Sequence, residues 1–147
     1  MLKPFVLRAL APALLAGLLA ACTSSAYIRY KTPPISGNIS IDGAPAVGIP
    51  VYLSLHGDDN KCLKFINQTS TGLQGEFNLP IVKDHMSYTP LMTHYLDEWV
   101  VCADIDGQRV TLYAGNRYGM GSVSGSVNLN CVFEQGRYAP ESCNRGQ

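Results

Sequence analysis

The chain has 147 residues, with 11 Lys and Arg against 11 Asp and Glu, a formal balance of zero at neutral pH. That length fits one domain, and the balanced charge argues against the basic face that nucleic-acid binding needs, so no nucleic-acid partner is expected. Charged residues make up only 15% of the chain, while Gly, Ser, Thr and Asn are plentiful, which suits a β-rich exported domain better than a helical cytosolic one.

At the N-terminus, Lys3 and Arg8 supply positive charge around an apolar run from Leu10 to Leu19, broken by Pro12 and Gly17. This is a signal-peptide pattern, too short and wrongly flanked for a membrane-spanning helix. Its end, Leu19-Ala20-Ala21-Cys22, resembles the lipobox of bacterial lipoproteins. Small residues suit the peptidase at the cut, and the Cys thiol is the nucleophile that takes the diacylglycerol. The resemblance implies a signal peptide over residues 1–21, cleavage after Ala21 and a membrane anchor of lipid (palmitate among the chains) on Cys22. Ordinary secretory cleavage after the small pair Ser24 and Ala26 is the alternative, and a Cys right at the end of the apolar run disfavours it. Each buried CH₂ contributes roughly 0.8 kcal/mol, so two or three acyl chains hold stably where one does not. Thr23 follows the Cys instead of Asp, which by the enterobacterial sorting rule implies the outer membrane, with the domain facing the periplasm. Loss of Lys3 and Arg8 leaves 9 basic and 11 acidic residues, a balance of −2.

Residues 22–34 read as the lipidated Cys and a flexible tether ending at Pro33-Pro34, where a helix is forbidden. The domain is expected over 35–147, and its period is two. Ile35, Ile39 and Ile41 alternate with Ser36, Asn38 and Ser40, and Asp42-Gly43 then marks a turn. Val47, Ile49, Val51, Leu53 and Leu55 share one face of the next run, with Pro50 making its start irregular or a sheet edge. Phe77, Leu79 and Ile81 alternate after Gly75. Val82 to Glu98, with His85, Tyr88, Pro90, His94 and Tyr95, reads as a long loop, with room for one strand or helical turn, of the kind that is often functional. Trp99, Val101, Ala103 and Ile105 alternate before a second turn at Asp106-Gly107, with Val110 and Leu112 on the return strand. Gly115 to Gly121 reads as a Gly-bounded loop. Val123, Val127, Leu129, Cys131 and Phe133 form the last strand, followed by a polar C-terminal tail. About seven short strands without a useful amphipathic helix predict an all-β fold, a single immunoglobulin-like or transthyretin-like β-sandwich.

The segment Ser36 to Val51 (SGNISIDGAPAVGIPV) resembles the opening of carboxypeptidase-regulatory-like domains: a Gly-started strand, a short turn, Gly-x-Pro, a further Gly and an apolar strand. A second element of that family, Thr-x₃-Gly-x-Phe, matches Thr71 to Phe77. The family often has Asp after the Thr; Gly72 stands there instead, which implies a looser turn. The resemblance covers Ser36 to about Leu79 and implies a transthyretin-type sandwich that binds, braces or presents instead of catalysing.

Setting aside Cys22, four cysteines remain: Cys62, Cys102, Cys131 and Cys143. An even count in an exported domain suggests two disulfides, with three connectivities open. Cys131 is in phase with core positions and Cys102 is out of phase with Trp99 and Val101, which makes a 102–131 bond the least comfortable. Of the other two connectivities, 62–102 with 131–143 is expected, the second bond pinning the polar C-terminal tail. There is no CxxC, the signature of redox enzymes and zinc ribbons.

His56-Gly57-Asp58-Asp59 is the most site-like cluster, but its bland reading as a polar turn is the stronger one. His85 and His94 set no metal geometry, and no G-x-S-x-G elbow or phosphate loop is present. No catalytic residue, metal or cofactor is therefore expected. For binding, Tyr118 and Arg117 in the Gly-bounded loop and Tyr95 in the long loop are the candidates, because loops on a rigid sandwich carry recognition. The sequence thus favours a non-catalytic envelope lipoprotein with an envelope protein partner. An inhibitor or immunity protein that plugs a hydrolase with one of those loops comes second, and a small enzyme third.

Overall fold

In a computed structural model of the chain, which describes residues 27–86, 94–138 and 142–145, the two Asp-Gly pairs do what their chemistry dictates. Asp42 and Gly43, and Asp106 and Gly107, take positive φ (51° and 79°, 50° and 76°), the mirror-image turn that matches the twist of a hairpin. The first joins β2 (Ile35–Ile41) to β3 (Ala44–Pro45), and the second joins β8 (Tyr95–Ile105) to β9 (Gln108–Gly119). The remaining strands are β1 (Tyr27–Tyr30), β4 (Pro50–Ser54), β5 (Phe65–Ser70), β6 (Glu76–Leu79), β7 (Lys83–Met86), β10 (Val127–Phe133) and β11 (Cys143–Arg145).

The described chain is all-β, in three sheets. One has the order β11-β10-β2-β3, with β6 also on β2; another has the order β5-β4-β8-β9; the third is the ribbon β1-β7. The central strand β2 is parallel to β10 and antiparallel to β6. One hydrophobic cluster joins the two larger sheets. Ile35, Ile39, Phe77, Leu79, Leu129, Cys131 and Phe133 come from the first, and Val51, Leu53, Trp99, Val101, Ala103, Ile105, Val110 and Leu112 from the second. Fully burying a side chain of the size of Ile, Leu or Phe contributes roughly 1.5–3 kcal/mol, so this shared cluster holds the sheets together. The alternation read from sequence is visible in β10, buried at every odd position from Val127 to Phe133 and exposed between them.

Several expectations are corrected. The described residues form eleven strands in three sheets, where about seven strands were expected. Residues 27–30 of the expected tether are a strand, β1, paired residue for residue with β7 from Tyr27–Met86 to Tyr30–Lys83. Val82–Glu98, expected as a long loop with room for one strand or helical turn, supplies both β7 and the start of β8. The Gly115–Gly121 loop is largely the end of β9. Val47 is exposed and Val51 and Leu53 are buried, because the strand begins only at Pro50, whose missing N–H is tolerated at a strand's first position. Strand β5 has no clean period, its residues being exposed or half-buried throughout, so alternation did not reveal it.

The Thr71 turn is tight where a looser one was expected. Thr71 is buried; its hydroxyl accepts from Ile49 N at 2.8 Å and donates to the Ala46 carbonyl. The carboxylate missing at position 72 is supplied by Glu76, which accepts from Gln74 N at 2.8 Å.

Candidate functional site

Cys22, the expected lipid attachment point, lies outside the described residues, as do the signal peptide and Thr23–Ala26. The two disulfides pair Cys62 with Cys102 and Cys131 with Cys143, across Cα separations of 6.0 and 4.0 Å. The phases explain the pairing. Cys131 faces the main core, while Cys102 faces the opposite side of β8, where Tyr52, Cys62 and Val100 form a second, small cluster.

That second cluster is roofed by residues 55–64, which contain His56, Asp58 and Asp59. A cavity of about 280 Å³ opens beside these three and Leu63 and Lys64, yet the chemistry of Asp59 is already committed. Its carboxylate accepts from Leu63 N at 2.9 Å, Lys64 N at 2.8 Å and the Ser54 hydroxyl at 3.3 Å. Backbone N–H donors from Lys64 and Leu63 hold its pKa below the ordinary carboxylate value. Asp59 therefore caps a turn. The same roof is tied to the sheet by Arg109, which donates to the carbonyls of Lys61 and Cys62 at 3.3 and 3.2 Å. Arg109 also lies 3.7 Å over the Tyr52 ring and donates to Asp104 at 2.9 Å. This bond lowers the Asp104 pKa and raises that of Arg109; burial, then the bond to Asp104, raises that of Tyr52. No group of three His, Cys, Asp or Glu side chains that could hold a metal occurs among the described residues.

Tyr95, Arg117 and Tyr118 separate into different roles. Tyr118 is 71% exposed at the end of β9. It stacks on His94 with ring centroids 5.3 Å apart and stands opposite Leu96, itself 62% exposed. Met120 adds exposed apolar surface in the following turn. Arg117 folds back to donate to the Met120 and Gly121 carbonyls at 2.8 and 3.2 Å. Tyr95 is half-buried, its ring 3.8 Å from the Arg29 guanidinium.

Sequence reasoning missed Arg29. It projects from β1 between the ribbon and β8, almost wholly buried, and pairs with Asp97, also buried. Its Nε donates to the Gly121 carbonyl at 3.2 Å. Next to it, buried Thr32 accepts from Val82 N at 3.1 Å. The only available signal was a lone Arg between two Tyr residues in a short polar stretch, which reads equally well as a solvated linker.

A register shift between Val101 and Cys102 reorganises the end of β9. On the turn side of it, Val110 faces the core with Ala103; past it, Tyr113, Gly115 and Arg117 stand opposite Val101, Trp99 and Asp97. The extra residue moves these three onto the inner face, as a bulge does. Gly115 is needed there, because a Cβ would come within 2.6 Å of the Trp99 indole.

The outer face of the five-stranded sheet carries a third feature. Asn144, Asn130, Asn38 and Glu76 form one row across four strands, and Asn128, Ser36 and Asn78 the next. Several of them line an open groove of about 480 Å³. No described helix is long and apolar enough to cross a membrane. The chain matches no family model, and comparison with curated proteins finds no match.

Proposed function

We propose that the protein is a lipid-anchored, non-catalytic binding or structural module of the bacterial cell envelope, held on the outer membrane through acylated Cys22 and facing the periplasm. The Leu19-Ala20-Ala21-Cys22 motif supports the anchor. The observation that carries the binding reading is the pair Leu96 and Tyr118, exposed at 62% and 71% on paired strands. Exposed apolar groups on rigid strand ends, with Met120 beside them, suit a docking surface better than a solvated one.

The buried Arg29–Asp97 pair shapes this reading. Four residues, Thr23 to Ala26, lie between Cys22 and the first residue of β1, Tyr27. At no more than about 3.3–3.6 Å per residue, Tyr27 lies within roughly 17 Å of the anchor, which keeps the domain close to the bilayer. Two sheets sharing one core, with turns at Asp42-Gly43 and Thr71–Gly75, are compatible with the transthyretin-type sandwich that residues 36–79 resemble. The inhibitor reading is less favoured, since much of both loops meant to plug a partner's active site is strand.

Two measurements test the proposal. Palmitate labelling in cells should be lost on Cys22→Ser, and persistence of a labelled, membrane-bound product would refute the anchor. A photoreactive amino acid at Tyr118 should crosslink a discrete envelope partner that the same group at Leu73 does not. Equal, diffuse crosslinking from both positions would refute the docking surface.

A further inference from the structure

Arg29, Arg109 and Arg137 each face a carboxylate. The other two described arginines, Arg117 and Arg145, have no carboxylate partner among the described residues, and both line one pocket of about 240 Å³. Asp97 stands opposite Arg117 in the register but is taken by Arg29. The pocket lies between the two larger sheets, with β9 on one side and β11 and the start of β10 on the other. No Asp or Glu lines it.

Its inner wall holds the two buried side-chain polar atoms that lack hydrogen-bond partners among the described residues, Trp99 Nε1 and the Tyr113 hydroxyl. Trp99 is 4% exposed, and an indole N–H can only donate. Buried polar groups are nearly always paired, so two orphans in one pocket call for an explanation. Arg145 sits 4.7 Å over the Tyr113 ring, and Val123 and Val127 add apolar wall. The bulge in β9 puts Tyr113 and Arg117 on this face, and Gly115 makes room for the indole.

We propose that this pocket binds a small carboxylate ligand. Its anionic end lies between Arg117 and Arg145, where guanidinium groups match carboxylate geometry. The indole N–H and the Tyr113 hydroxyl donate to its oxygens, and its apolar part rests on Val123, Val127 and the ring of Trp99. A drug-sized site runs roughly 300–1,000 Å³, so the ligand is a short acid or the last one or two residues of a peptide. The apolar walls disfavour a strongly hydrated phosphate. This names a ligand class for the binding-module reading and rests on that reading, but does not require the lipid anchor.

The chain has a single Trp, so the fluorescence of Trp99 reports on this pocket alone. The purified mature protein, titrated with N-acetyl-dialanine, should show a saturable emission change with a Kd of about 1 mM or tighter. The C-terminal amide of the same peptide should give none. Propionate in a parallel titration distinguishes a free acid from a peptide terminus, and saturation by either supports the site. Arg145→Gln and Arg117→Gln should each weaken binding about tenfold, the loss of one charge-assisted contact. Arg137→Gln, away from the pocket and already paired with Glu134, should leave it unchanged. No saturable response to either acid, an equal response to the amide, tighter binding of inorganic phosphate, or an equal loss in Arg137→Gln would each overturn the proposal. If the titration succeeds while crosslinking at Tyr118 finds no partner, the docking surface fails and the pocket stands. The reverse pattern removes the pocket alone.

Discussion

The β8–β9 hairpin and the β1–β7 ribbon are both antiparallel pairs, and they meet at Arg29 and Asp97, yet different forces hold them. The hairpin closes on a two-residue turn, so its pairing follows from local chemistry and costs little loop entropy. The ribbon joins residues more than fifty positions apart. It contributes no side chain to the main core except through its flanks, and a buried ion pair fastens it to β8. The hairpin is specified by its own sequence, whereas the ribbon is specified by what it docks against. The ribbon is therefore the part that a single distant substitution should release.

Arg29→Ala is the sharpest way to break the comparison. It leaves Asp97 buried without its partner, and removing one member of a buried pair costs roughly 3–5 kcal/mol. Urea denaturation should show that loss, and hydrogen exchange should show β1 and β7 losing protection before β8 and β9. A cost below about 1 kcal/mol, the range of exposed ion pairs, would mean that the ribbon is held by something else. Replacing both partners with apolar residues, Arg29→Met with Asp97→Leu, should recover much of the stability, because a buried pair gains little over well-packed hydrophobic groups.

The disulfides come next. Cys62 and Cys102 close a loop of 40 residues and Cys131 and Cys143 one of 12, and loop-closure entropy assigns them about 4 and 3 kcal/mol. Double Ser variants measured by thermal unfolding should keep that order. An inverted order would show that the roof over Tyr52 is held chiefly by Arg109 and the Asp59 turn. On the hairpin, Gly107→Ala should cost only about 1–2 kcal/mol, the penalty for a side chain in the left-handed region. A neutral result would mean that the turn changes its type to accommodate the methyl group.

These contrasts mark what a sequence can show. The Asp-Gly turns, the alternation of β10, the opposite phases of Cys102 and Cys131 and the Thr71 motif were all legible, because each is written within a few residues. Strand β1 was not, since Tyr27-Ile28-Arg29-Tyr30 carries no turn signal and its partner Asp97 lies 68 residues away. The two sites divide the same way. His56–Asp59 was legible as a polar turn, and Asp59 does cap one, whereas the arginine pair around Trp99 was not legible. The second depends on a register shift in β8 and β9 that moves Tyr113 and Arg117 to the inner face, and no periodicity in the sequence announces an extra residue.

Acid should produce the smallest effect, and it sharpens the comparison by acting on the hairpin's sheet. Asp104 is held below its ordinary value of 3.8 chiefly by its bond to Arg109, and Asp59 below the same value by backbone N–H groups. Both therefore bind protons less readily in the folded state than in the unfolded chain, and linkage makes the folded state relatively less stable as they protonate. Their contribution is complete at neutral pH and falls away as pH drops below about 4. The roof over Tyr52 should open there first, because Asp59 holds its turn and Arg109, freed of Asp104, no longer anchors its carbonyls. Hydrogen exchange at residues 55–64 across that range should show the loosening. Asp59→Asn with Asp104→Asn should lower stability at pH 7 and flatten its fall below pH 4, since those protons are no longer taken up on unfolding. Equal slopes in the double variant and the parent would place the acid response elsewhere in the molecule.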